Sequence, residues 1–155
     1  MTTVVIGLGN RTLSDDAVGC VVAGKVSAAL GASSGVACRE VYTGGLDLME
    51  AMAGFDRAIL VDAIETGEVP AGTIVRVTEG SALQTRNTCS SHDGSLPTAL
   101  ALARQAGLKV PGEIRIWAIE ARDVSTFSER LTEPVAAAAG VLASRIAGEL
   151  NEVQA

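Results

Sequence analysis

The chain has 155 residues, 48% of them hydrophobic and 19% charged, which is enough apolar material for one domain with a real core. Its formal net charge of -6 argues against a nucleic-acid partner, because a phosphate backbone demands a basic surface. No apolar run reaches the ~20 residues that span a bilayer, so no membrane association is expected.

"TVVIGLG", residues 3–9, is a β-branched run ending in glycines and reads as a buried parallel strand. The opening "MTTVVIGLGN" has no basic region and no cleavage site, so it is expected to be the first strand rather than a secretory signal. Residues 15–30 carry apolar positions at Val18, Val21, Val22, Val26 and Leu30, a helical spacing. "GVACREVY" alternates as a strand, and "GGLDLMEAM" opens a short helix. "RAILVDA" is the second strongly apolar strand, while "GTIVRVTE" alternates and belongs nearer a sheet edge.

"SLPTALALARQAG" follows as a helix, with Ser95 as N-cap, Pro97 in the first turn and Gly107 past the end. "EIRIWAIE" is a strand, with Trp117 in the core or beside an edge. From Glu133 on, Val135, Ala138, Ala139, Leu142, Ile146 and Leu150 form the stripe of a long helix. The alternation predicts a single α/β domain over residues 1–155. It is a three-layer sandwich with a mostly parallel twisted sheet of about five strands and helices on both faces.

Three cysteines, Cys20, Cys38 and Cys89, with no CxxC spacing suggest reduced thiols and a cytoplasmic location. "GLGNRT" fails as a dinucleotide fingerprint because Thr12 stands at the third glycine position. "GASSG" matches GxSxG but joins a helix to a strand, the reverse of a nucleophile elbow.

Sites in open α/β sheets gather beyond the carboxyl ends of strands. Three polar features are expected there: Asp15 and Asp16 after the first strand, Asp62 ending the central strand, and His92, the only histidine, in the loop after "GTIVRVTEG". Two carboxylates and an imidazole suit a borderline divalent metal such as zinc or nickel, with positions left for water or substrate. A histidine beside a helix N-terminus is held neutral, the form that ligates. Each residue also has a plainer reading. Asp15 is expected to cap the first helix, Asp62 to cap a turn, and His92 to be a solvated loop residue or the partner of Cys89 in a thiol dyad.

In that order, "IGLGN…SDDAVG", "GGLDLMEAM", "ILVDAIETGEVPAGTI", "SSHDGSLPTALALARQAG" and "IWAIEARD" resemble the hydrogenase maturation proteases over nearly the whole chain. The resemblance implies an endopeptidase that removes the C-terminal extension of a nickel–iron hydrogenase large-subunit precursor once nickel is inserted. It implies nickel as the metal, presented by the precursor and not tightly held by the free enzyme. Asp16, Asp62 and His92 are the implied metal-contacting and catalytic residues, with the metal as Lewis acid or a carboxylate as base. Thr43 stands where relatives commonly have an acid before the glycine pair, and Asp47 or Asp15 would have to replace it. A monomer in transient complex with the precursor is expected. Two alternatives remain open: a non-catalytic nickel-sensing module for the same precursor, and a peptidyl-tRNA hydrolase, which also opens with "GLGN". The stretch "RTLSDDAVG" and the acidic charge speak against the second.

Overall fold

The computed structural model describes residues 1–78, 84–88 and 95–154. Strands β1 (Thr3–Leu8), β2 (Ala37–Val41), β3 (Arg57–Ile64), β4 (Ile74–Val77) and β5 (Glu113–Glu120) form one sheet in the order β2-β1-β3-β5-β4. All neighbouring pairs are parallel except β4 with β5. Helices α1 (Val18–Leu30) and α4 (Glu133–Gln154) cover one face, and α2 (Leu46–Met52) and α3 (Leu96–Gln105) cover the other. This is the expected three-layer architecture.

The strands read as apolar runs because both faces are covered. In β3, Ile59, Val61 and Ala63 pack with Val22, Leu142 and Ile146 on the α1/α4 side. Ala58, Leu60 and Ile64 pack with Leu48, Met52 and Leu100 on the other. Full burial of a side chain such as Leu142 or Ile146 contributes about 1.5–3 kcal/mol. Ser95 caps α3 as expected, accepting a hydrogen bond from the Thr98 N–H, with Pro97 in the first turn. Trp117 is buried, with the guanidinium groups of Arg76 and Arg145 5.1 and 5.5 Å from its ring centroid.

Gly7 and Gly19 set how closely α1 approaches the sheet. A Cβ on Gly19 would lie 2.1 Å from the Val61 carbonyl oxygen, and one on Gly7 2.2 Å from the Gly19 carbonyl oxygen. Only hydrogen at both positions allows helix and strands to meet backbone to backbone.

Two features differ from the sequence reading. α1 begins at Val18, and residues Ser14–Ala17 form a 3-10 turn that Ser14 enters with φ +48°. β4 runs antiparallel on the edge, so its carboxyl end points away from the carboxyl ends of β1, β3 and β5. The reason is the connection: residues 65–73 are too few to cross back to the amino end of the sheet, so β4 starts near the carboxyl end of β3 and runs the opposite way.

Candidate active site

The strand order reverses between β1 and β3: from β1 the chain moves outward to β2, then returns to lay β3 on the other side. The crevice over their carboxyl ends is where an open α/β sheet places its ligands. Asp16 and Asp62 both lie there and are both buried.

Asp16 reaches the crevice through the turn after β1. Gly9, at φ +141°, passes so close to the turn that a Cβ would be 1.9 Å from the Asp16 carbonyl oxygen. This folds the loop back, so the Asn10 N–H donates to Asp16 Oδ2 at 2.9 Å. Asp62 occupies the strand parity of Ala58, Leu60 and Ile64, a lone acid in an apolar row. Its Oδ1 accepts the Ala63 N–H at 2.8 Å. Burial pushes its carboxyl up to about 7, against hydrogen bonds from Asn87, Thr85 and Ala63 that hold it down.

The two acids are joined by one nitrogen. Asn87 Nδ2 donates to Asp16 Oδ1 at 2.8 Å and to Asp62 Oδ1 at 2.9 Å, while the Asn87 backbone N–H donates to Asp62 Oδ2. Arg86 Nε donates to Asp16 Oδ1 at 2.9 Å and its Nη1 to Glu65 at 2.5 Å. Since β4 ends on the far side of the sheet, its carboxyl end does not supply the site as expected. Residues 84–88 bring the chain back, anchored where the Arg86 N–H donates to the Ala63 carbonyl at 2.9 Å. Sequence reading missed Arg86 and Asn87; its available signal was the polar run "QTRNTC" a few residues ahead of the lone histidine in the sequence.

Asp15 departs from expectation. Neither the 3-10 turn nor α1 has a side-chain cap, and the Asp15 carboxylate turns instead to the loop after β5. It accepts the N–H groups of Arg122, Asp123 and Thr132 and the Thr132 hydroxyl, at 2.7 to 3.0 Å. A carboxylate so surrounded has no capacity to stand in for the acid absent at Thr43. Asp47 lines a polar depression with Arg39, Glu40, Tyr42 and Glu50 and makes no hydrogen bond to either Asp16 or Asp62. An apolar groove of about 240 Å³ between α2 and α3, lined by Leu46, Met49, Leu102 and Leu108, contains neither acid.

His92 and Cys89 lie outside the described residues. Among those described, no three His, Cys, Asp or Glu side chains gather as a metal-binding group, and Asp16 and Asp62 make a pair. The donor chemistry of that pair fits a divalent cation: two buried carboxylates converge, and Asp62 has no cationic side chain against it among the described residues. Cys20 is a different case. Its thiol faces the carbonyls of Gly7 and Gly9 at 3.7 Å, and burial pushes it up to about 11, which favours the uncharged thiol of a buried structural cysteine. Among the described residues no helix is long and apolar enough to cross a membrane.

A family model described as hydrogenase maturation protease, HycI, matches residues 36–149. No curated protein sequence matches the chain. Among solved structures, the hydrogenase maturating endopeptidase HybD of E. coli is 26% identical with a TM-score of 0.76, covering 99% of this chain and 94% of its own. The [NiFe] hydrogenase maturation protease HybD of Thermococcus kodakarensis is similar in fold, at 22% identity and a TM-score of 0.73, covering 97% of this chain and 99% of its own. The HycI protease of the same organism aligns at 24% identity and a TM-score of 0.71, over 97% of this chain and 92% of its own. The peptidyl-tRNA hydrolase alternative falls away with these matches. The chain belongs to the hydrogenase maturation protease family and is a peptidase of that family.

Proposed function

We propose that this peptidase removes the C-terminal extension of a nickel-loaded [NiFe] hydrogenase large-subunit precursor, reading the precursor's nickel through Asp16, Asp62 and His92. The observation that carries the proposal is the meeting of two buried carboxylates, one from the turn after β1 and one from the last residues of β3, on one shared amide nitrogen at the switch point of the sheet. Buried acids brought this close are a costly arrangement for folding alone, and a cation carried in by the substrate offsets that cost.

Within this reading Asp16 and Asp62 supply anionic oxygens to the substrate's nickel, and His92 supplies the neutral nitrogen. Nickel is then cargo of the substrate, and its presence licenses the cut. The scissile carbonyl is attacked by water whose proton passes to a carboxylate of the pair. Asp15, the neighbour of Asp16, holds the loop after β5 instead of the metal.

The test is to mix the purified protein with its host's large-subunit precursor, prepared with and without nickel, and to follow intact mass. Loss of a C-terminal peptide only from the nickel-loaded form is expected, and His92→Ala should abolish it while leaving the circular dichroism unchanged. Equal cutting of both forms would overturn the nickel reading. A stable complex without peptide loss would leave a nickel-sensing binding role on this precursor.

A further inference from the structure

The proposed reaction leaves Arg86 and Asn87 without a task, although among the described residues Asn87 bonds both acids and Arg86 pairs with Asp16. A carboxylate oxygen has two lone pairs. Asp16 Oδ1 spends both, on Arg86 Nε and Asn87 Nδ2. Asp62 Oδ1 does the same with the Ala63 N–H and Asn87 Nδ2. The two oxygens joined through Asn87 are therefore full. The group between them is an NH2 that can only donate, so it occupies the position of a bridging cation without being able to ligate one. Arg86 adds the formal positive charge that Asp16 would otherwise take from a metal.

We infer that Arg86 and Asn87 are a placeholder for the cation, which keeps the Asp16–Asp62 pair closed to free divalent metal and yields it to metal delivered on the precursor. The inference rests on the reading that these acids receive substrate nickel. An internal occupant that must leave first raises the apparent dissociation constant by the ratio of closed to open states. An ion from solution has nothing to set against that ratio. A precursor has the contacts its polypeptide makes, so the same placeholder discriminates between the two sources.

The geometry allows release without unfolding. The Arg86 side chain is 31% exposed and already paired with Glu65, so the guanidinium can turn fully to that partner and keep an ion pair. Its backbone stays tied to Ala63 as the side chain turns.

The experiment is calorimetric titration of Ni²⁺ into the full-length protein and its variants, beside the mass assay on the nickel-loaded precursor. Arg86→Gln removes the charge and should tighten Ni²⁺ binding by about tenfold or more. Asn87→Ala should tighten it too, and Arg86→Lys should remain within about threefold of the parent. A residue that only stabilised the fold would lower the melting temperature without raising metal affinity. If Arg86→Gln or Asn87→Ala, folded by circular dichroism, binds Ni²⁺ no more tightly than the parent, the placeholder is wrong. Asp16→Asn separates the two ideas. If it loses Ni²⁺ affinity and processing while Arg86→Gln and Asn87→Ala gain nothing, the placeholder alone fails. If Asp16→Asn changes neither affinity nor processing, the underlying nickel reading fails.

Discussion

Asp15 and Asp16 are adjacent, both buried, and both held by several hydrogen bonds, yet they belong to two different kinds of site. Asp15 is held mainly by backbone N–H groups of the loop after β5, donors that cannot leave without moving the chain. Asp16 is held by one backbone N–H and by the side chains of Arg86 and Asn87, donors that can swing away on their own bonds. Burial and hydrogen bonding alone do not tell a structural acid from a functional one. The identity of the donors does: fixed amides mark a clamp, and movable side chains mark a site that can exchange its partners.

The sharpest way to break the comparison is to make the same change at both residues. Asp16→Asn keeps the shape but removes an anionic oxygen, so processing of the nickel-loaded precursor should fall at least about a hundredfold with little change in melting temperature. Asp15→Asn should do the opposite, costing stability before activity. Equal effects of both on turnover at low temperature would erase the distinction.

Gly19→Ala should damage both regions together, because its new methyl would press on the Val61 and Leu8 carbonyl oxygens and push α1, with the turn ahead of it, off the sheet. A loss of about 3 kcal/mol or more is expected in urea melts. Asp15→Ala strands three backbone N–H groups and a hydroxyl, and should cost about 2–4 kcal/mol by the same measurement. Specific activity measured below the melting transition should survive.

The smallest effect concerns Asp123, in the loop that Asp15 clamps. Hydrogen bonds from Thr126 and then Ser125 hold its carboxyl down at about 2, below the ordinary carboxylate range. A carboxyl lowered on folding contributes stability above its unfolded value, and that contribution disappears as pH falls through about 2. Asp123→Asn should therefore melt slightly earlier than the parent at pH 7, and the gap should close near pH 2. Because the carboxyl is open to solvent screening, the difference is a small one. A gap that widened in acid would reverse the sign.

Much of this was legible from residues alone. The strand at residues 57–64 stood out as an apolar run because both its faces are covered, and Asp62 stood out in it for the same reason, as one acid in a buried row. The α3 boundaries followed from Ser95, Pro97 and Gly107, since capping chemistry is local. The pair Asp15 and Asp16 stood out by its place after the first strand, and the family resemblance chose Asp16 from it. Asp15 was misread because a carboxylate before a helix is usually its cap, and nothing nearby announced partners more than a hundred residues away. His92 was singled out by composition and by resemblance, and it lies outside the described residues.

Sequence by itself determined the period-2 and period-3.6 patterning, hence the elements and their layering, because each pattern records only which sides of a segment must leave water. Tertiary structure alone decided the reversal of β4, the return of residues 84–88 over the end of β3, and the separate destinations of Asp15 and Asp16. These depend on the length of a connection and on donors far away in the chain. No local pattern encodes which of two neighbouring carboxylates such donors will reach.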